Sequence, residues 1–216
     1  MTHDQIPIID KDNDHIPISP AVLYVGTPIA LITTLNEDGS PNISPMSSSW
    51  TLSDRVVLGM SSTSKGRENA ARERELVINF PSPDLWQKVE SIARATGCNP
   101  VPLHKARIGY EYEGAKFERA GLTPQKSDTV RPPRIAECPL QFEARVVGIH
   151  DPGADWPDDR PEAFQILETR VTKTYAHRSI VIPRTDYIDV QKWSPLLYVF
   201  RHYFGTGTEL GRTFKA

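Results

Sequence analysis

A chain of 216 residues with 38% apolar side chains, 25 basic and 27 acidic groups is long enough to bury the core of one ordinary domain. Its net charge of −2 leaves neither the basic footprint of a nucleic-acid binder nor an acidic solvating tail. No run of about eighteen apolar residues occurs, so no membrane-spanning helix is expected.

The N-terminal stretch MTHDQIPIIDKDNDHIPIS is polar and acidic, without the basic-then-apolar order of a signal peptide. Residues 1–25 read as an extension in which Pro7, Pro17 and Pro20 oppose helix, and residues 26–216 read as one domain. Further along, PIALITTL (28–35) is rich in β-branched residues and predicts a strand, and the Asp38-Gly39 pair after it predicts a hairpin turn. ISPMSSSW (43–50) returns, and DRVVLGMSS (54–62) reads as a third strand. Ser64 is suited to cap a short helix through KGRENAARER, with Gly66 weakening its first turn. LVINF (76–80) is a strand that ends at Pro81 and Pro83. Asp84 then opens a helix with Gln87 at capping-box spacing, and Leu85, Val89, Ile92 and Ala93 form its core-facing stripe.

Residues 97–138 are proline-rich and irregular, a length that points to a binding or lid role or to packing against a partner subunit. In PLQFEARVVGIHD (139–151), Leu140, Phe142, Ala144 and Val146 alternate with more polar neighbours, the mark of a half-buried strand. AFQILETRVTKTY (163–175) is β-rich from Ile166 onward, and the chain ends in an aromatic and then glycine-rich segment. Cys98 and Cys138 lie far apart and outside any C-x-x-C pattern, so free, buried thiols and a cytoplasmic location are expected. Local hairpins joined by polar turns favour a small antiparallel barrel over a doubly wound sheet.

The usual signatures of nucleotide loops, zinc proteases and serine hydrolases are missing, and the six histidines lack metal-ligand spacing. GTGTELG near the C-terminus follows an aromatic strand with no helix after it, which argues against a nucleotide loop. What remains is a serine-rich span. Ser61, Ser62, Thr63 and Ser64 end one strand and lead into a helix whose first turn carries Lys65 and Arg67. Hydroxyls, helix amides and cations thus converge, as an anion site requires. The same residues also suit a helix cap and turn hydrogen bonds, and spacing leaves both readings open. Ser47, Ser48, Ser49 and Trp50 suit either a flat ligand lying along the backbone or a strand with one solvated face. His104 and Lys105 reach a ligand edge or are solvated loop residues. Trp50, Trp193, Tyr198, Phe200, Tyr203 and Phe204 either shield a planar cofactor or belong to core or interface.

In order along the chain, PIALITTLNEDGSPNISPMSSSW, VVLGMSSTSKGRENAARERELVINFPS, GYEYEGAKFERAGLTP and PPRIAECPLQFEARVVGIHD resemble the flavin reductase-like family, its flavoredoxin-like branch in particular. The resemblance implies a mainly β fold, a six-stranded antiparallel Greek-key split β-barrel with a few short helices. It also implies a homodimer holding one FMN per subunit near the interface. On this chain the family's ring-facing strand matches Ser47, Ser48, Ser49 and Trp50. Its phosphate turn matches Ser61, Ser62, Thr63, Ser64 and Lys65, with Arg67 and Asn69 as further contacts, and Lys105 matches a basic residue near the flavin. Implied activity is that of an FMN-dependent oxidoreductase, either an NAD(P)H:flavin reductase or a flavoredoxin-like electron carrier. NADH or NADPH would supply a hydride, and an acceptor protein or monooxygenase component would take the electrons. No catalytic acid or base and no metal is named. Two alternatives are a flavin or heme carrier without turnover and a structural homodimer whose site has decayed.

Overall fold

The computed structural model describes residues 16–152 and 163–211, so residues 1–15 of the expected N-terminal extension lie outside the described residues. Strands β1 (Val25–Pro28), β2 (Ala30–Leu35) and β3 (Pro41–Met46) come first. Between β2 and β3 the chain turns at Asp38-Gly39, where Gly39 adopts φ +83° and Asp38 Oδ1 accepts the Ser40 amide at 2.9 Å. The expected single strand over 43–50 is two strands. It breaks at Ser47-Ser48, and β4 (Ser49–Leu52) begins beyond the break, followed by β5 (Arg55–Ser61).

That break explains the architecture. Helix α1 (Lys65–Glu73) leads to β6 (Glu75–Phe80), and the long strands β11 (Leu140–His150) and β12 (Phe164–Ala176) complete an antiparallel sheet of order β3-β2-β6-β11-β12-β5-β4. Strands β3 and β4 are consecutive in the chain yet form opposite edges of the sheet. Only Ser47 and Ser48 separate them, a span of about 11 Å at most. The sheet must therefore curl until its edges approach, which makes a split barrel with its seam at the serines. Strands β5 and β6 are separated in the sheet by β12 and β11, the displaced connection of a Greek key. The barrel is mainly β as expected, with seven strands in this sheet against the six expected, the seam having divided one strand in two.

Two hydrophobic clusters hold it. Inside the curl, Ala30, Ile32, Val56, Leu58, Met60, Ile78, Ala144 and Leu167 meet from β2, β5, β6, β11 and β12. On β5 the burial alternates strictly, with Val56, Leu58 and Met60 inward, as a strand with one buried face demands. The second cluster lies on the outer face. There Ile29, Leu31 and Ile43 pack against Val89 and Ile92 near α2 (Trp86–Ser91) and against Phe117 and Ala120 of α4 (Lys116–Ala120). Burying each such aliphatic side chain contributes about 1.5–3 kcal/mol. The expected capping box at Asp84 does not form. Pro83–Leu85 is a single 3-10 turn ahead of α2 and has no side-chain cap, because Pro83 has no amide to satisfy and already holds a helical φ.

Residues 97–138 are not irregular throughout. They carry α3 (Leu103–Arg107), α4 and the two-residue strands β8 (Glu111–Tyr112), β9 (Pro124–Gln125) and β10 (Arg134–Ile135); β8 pairs with β7 (Ala95–Thr96). Buried polar side chains of the barrel pin the segment. Asn79 Oδ1 accepts the Ile135 amide at 2.9 Å while its Nδ2 donates to the Leu31 carbonyl. The Glu143 carboxylate accepts the amides of Asp128 and Thr129. At the C-terminal end β13 (Leu197–Val199) and β14 (His202–Phe204) join β1 in a small separate sheet, and the GTGTELG segment follows β14 as exposed coil.

Candidate functional site

A cleft of about 420 Å³ opens at the barrel seam. Ser44 to Ser48 line one wall and Gly59, Met60, Ser61, Ser64 and Lys65 another, with Lys105, Tyr110, Lys116, Tyr198 and Tyr203 closing it. The two hydroxyl clusters thus meet around one space. Ser48 follows the last residues of β3, and its carbonyl accepts the Gly59 amide at 2.8 Å, which zips the seam against β5. Its hydroxyl lies 2.7 Å from Tyr24 Oη. A second cleft of about 640 Å³ adjoins the first, shares Tyr24, Ser48, Ser61 and Lys105 with it, and is bounded by His104 and Phe164.

At the other cluster Ser64 is extended at φ −87°, ψ 138°, and its Oγ accepts the Arg67 amide at 3.2 Å. The cap reading is therefore right. It does not displace the anion reading, since the remaining first-turn amides of a helix have no partner within it. Ser61 Oγ and Thr63 Oγ1 lie 3.1 Å apart, and Thr63 Oγ1 lies 3.3 Å from His104 Nε2. Ser62 turns away, its hydroxyl donating to the Ala163 carbonyl at 2.8 Å. Lys65 lines the cleft while its Nζ contacts Glu37 and Glu68 at 2.8 and 2.9 Å. Burial disfavours its charge, but those two carboxylates outweigh burial and hold it above the ordinary lysine value. The Nε of Arg67 is buried and makes no hydrogen bond among the described residues.

Half of the twelve expected contacts do not line the cleft: Ser62, Thr63 and Arg67 of the turn, and three that serve the fold elsewhere. Asn69 is fully buried and braces the fold, donating to Thr34 Oγ1 at 3.2 Å and Asn36 Oδ1 at 2.8 Å. Ser49 pairs with Leu58 in the sheet. Trp50, 57% exposed, lies with Leu52, Val57 and Ile166 in a shallow apolar groove. Val57 and Ile166 alternate with the inward Val56, Leu58 and Leu167, so that groove is on the outer face of the sheet.

Lys105, on α3, is buried, and its Nζ donates to the Thr63 carbonyl at 3.0 Å. The helix is thereby tied to the hydroxyl turn, and burial pushes the lysine below its ordinary value. Sequence reasoning missed Lys116. It is 3% exposed and donates to Asn42 Oδ1 at 2.9 Å and the Ile43 carbonyl at 2.8 Å, so it fastens α4 to β3 beneath the cleft. Burial drives it down to about 8, with the nearby Lys105 adding to the effect and Cys98 and Glu113 opposing it. Its only sequence signal was a lysine in an otherwise apolar-facing turn, KFERAG. Cys98 and Cys138 are free thiols, Cys138 buried and Cys98 half-buried with Sγ 3.4 Å from the Thr63 carbonyl. Tyr198 and Tyr203 are the two expected aromatics that reach the cleft. Among the described residues no cluster of side chains could hold a metal ion, and no helix is long and apolar enough to cross a membrane.

The model of the flavin reductase like domain matches residues 23–207. This chain belongs to the flavin reductase-like family. Protein YdfE of Bacillus subtilis (strain 168) is 47% identical over 199 residues, 92% of this chain and 93% of its own length. Among solved structures, flavoredoxin of Desulfovibrio vulgaris (Miyazaki F) superposes with a TM-score of 0.72 at 18% identity, covering 93% of this chain and 99% of that one. Nitrilotriacetate monooxygenase component B from Bacillus cereus gives 0.70 at 16% identity, covering 89% of each chain. At such identities these likenesses show the split-barrel fold, and membership in the family supports flavin-linked oxidoreductase chemistry. The donor set fits a flavin phosphate: a hydroxyl turn, helix amides, and a cleft lined by three lysines and no carboxylate.

Proposed function

We propose that this protein binds FMN in the seam cleft and acts as an NAD(P)H-dependent flavin oxidoreductase. The observation that carries the reading is the meeting of both hydroxyl clusters around one carboxylate-free cleft at the barrel seam. Ser61, Thr63, Ser64 and the first amides of α1 hold the phosphate, and Lys65 and Arg67 add donors at its edge. Ser47 and Ser48 lie along the ring, where small side chains let backbone groups reach its polar edge. Lys105 places positive charge in the same cleft, and Tyr198 and Tyr203 exclude water from it. Ser49, Ser62, Trp50 and Asn69 are left out of the contacts: Ser49 and Trp50 do not line the cleft, Ser62 turns to the Ala163 carbonyl, and Asn69 braces the core.

The chemistry a bound flavin supplies is two-electron transfer between a reduced nicotinamide and an acceptor. The chain's own share is to bind, orient and shield, and no side chain is assigned a proton-transfer role. The adjoining cleft beside His104 and Phe164 gives the nicotinamide of NADH or NADPH room to approach. A second copy of the chain, as a homodimer, closes the open side of the site, and the protein works in the cytoplasm. Likeness to a monooxygenase component supports an oxygenase as the acceptor. An absorption spectrum of the purified protein, followed by anaerobic addition of NADH and then NADPH, tests the reading. A flavin spectrum that bleaches with one nicotinamide is expected. A colourless protein that leaves added FMN fluorescence unquenched would overturn it, and tight flavin that neither nicotinamide bleaches would instead favour a carrier without turnover.

A further inference from the structure

The second cleft has basic groups in its walls and no acidic one. His104 and Lys105 line it without any carboxylate, and residues 97–110 contain no aspartate or glutamate. Both basic residues come from α3, and Ile108, just past its end, lines the cleft as well. Arg107 follows His104 by three residues and adjoins Ile108, the spacing that gathers side chains on one helix face. It is exposed and forms no hydrogen bond or ion pair with any described residue.

A different wall, Val22 and Tyr24, adjoins the β13–β14 hairpin. Val199 pairs with His202, so Phe200 and Arg201 are the two turn residues, at φ +43° and +71°. Such a turn favours glycine and asparagine. A bulky pair held there is backbone strain of the kind that collects at functional sites. The Phe200 amide donates to the Tyr24 carbonyl at 2.8 Å, which fixes the tip beside the cleft. Arg201 is exposed and also unpaired among the described residues, and its charge is felt by Tyr198 of the first cleft. Glu90, the acid that acts on the same tyrosine, is committed to the Tyr203 hydroxyl at 2.7 Å.

Two unpaired guanidinium groups thus stand at this cleft, one from α3 and one from the hairpin tip. Their planar forks suit bidentate binding of phosphate. The flavin phosphate has its own donors in the hydroxyl turn. When the ring of a reduced nicotinamide dinucleotide enters the second cleft, the adenosine half stays outermost. Only NADPH carries a further phosphate there, on the ribose 2′-oxygen.

We propose that Arg107 and Arg201 bind that 2′-phosphate, so that the protein takes NADPH in preference to NADH. This inference rests on the second cleft as the entry of the nicotinamide and names the dinucleotide it serves.

Calorimetry on the full chain saturated with FMN tests it, comparing NADP+ with NAD+ in wild type, R107M, R201M and the double variant. Oxidised dinucleotides transfer no hydride, so this measurement reads binding apart from turnover. Wild type should bind NADP+ about tenfold more tightly; each single variant should lower that ratio about threefold, and the double variant should bring it close to one. In anaerobic flavin reduction the ratio of KM for NADPH to KM for NADH should rise by the same factors. Both side chains are exposed and unbonded, so the variants should keep wild-type stability. Equal affinity for the two dinucleotides in wild type, or an unchanged ratio in the double variant, would overturn the proposal. Equal losses of NADP+ and NAD+ would do so too, by assigning the arginines to the shared pyrophosphate. Wild type that prefers NADP+ but whose flavin neither nicotinamide reduces would uphold this assignment and overturn the oxidoreductase reading instead.

Discussion

Gly66 in the first turn of α1 lies so close to Ser44 of β3 that a Cβ on the glycine would stand 2.3 Å from the Ser44 Oγ and 3.1 Å from its Cβ. Read as a helix residue, Gly66 is a weakness, since alanine is favoured there by about 1 kcal/mol. Read in the fold, it lets the phosphate-side helix rest directly on the ring-side strand. G66A should therefore destabilise the protein by about 1–3 kcal/mol, the usual cost of overpacking, and weaken FMN binding by moving the turn. Adding S44G should restore part of each loss, since Met60 Cε would still stand 3.1 Å from the new Cβ and Asn42 would lose the Ser44 hydroxyl as an acceptor. Urea unfolding and FMN titration of the single and double variants check this, and a stabilised G66A would refute it.

Ser64 has two duties that substitutions can separate. S64A should lose about 1 kcal/mol through the missing cap and weaken FMN more than riboflavin. S64D keeps a capping oxygen, so its stability should match wild type, but its carboxylate stands where the phosphate binds. FMN affinity in S64D should fall further than in S64A while riboflavin affinity stays near the wild-type value. Equal losses for FMN and riboflavin in both variants would remove Ser64 from the phosphate site.

What the sequence reveals is what lies close together along it. The Asp38-Gly39 turn, the alternation of Val56, Leu58 and Met60, and the hydroxyl turn ahead of α1 are each decided within a few residues, and each is where local chemistry puts it. The seam is decided by the whole sheet. Only when β3 and β4 become opposite edges does the chain break at Ser47-Ser48, and that break sends Trp50 to the outer face. Lys116 and Tyr203 come to the cleft from elements remote in sequence. The irregular look of 97–138 has the same origin, for its anchors, Asn79 and Glu143, sit on strands where they read only as polar interruptions.

Glu143 is a fully buried carboxylate. Burial pushes its proton affinity up, yet hydrogen bonds from Thr129 and Asp128 and the charge of Arg134, 3.6 Å away, prevail and hold it below the usual carboxylate range. A group depressed in the folded state stabilises above its unfolded value, and that support is lost as pH falls through the folded value. E143Q turns an acceptor toward these amides into a donor and should cost about 3 kcal/mol at pH 7. Chemical denaturation from pH 7 downward should show the gap between wild type and E143Q narrowing in acid. A gap constant with pH would mean that the charge contributes nothing.

Lys116 shows the opposite linkage. Its folded value is about 8, against 10.5 for an ordinary lysine, and burial is the leading cause. Between those values the unfolded chain holds a proton that the folded chain has released, so stability rises with pH across this window. Below about 8 the whole penalty for burying the ammonium is present, about 3 kcal/mol for such a difference. K116M removes that titration and leaves Asn42 Oδ1 and the Ile43 carbonyl without their donor, a loss that does not depend on pH. Unfolding free energies of flavin-free wild type and K116M from pH 7 to 10.5 should therefore diverge, wild type gaining about 3 kcal/mol on the variant. Parallel curves would show that the ammonium is not disfavoured by burial.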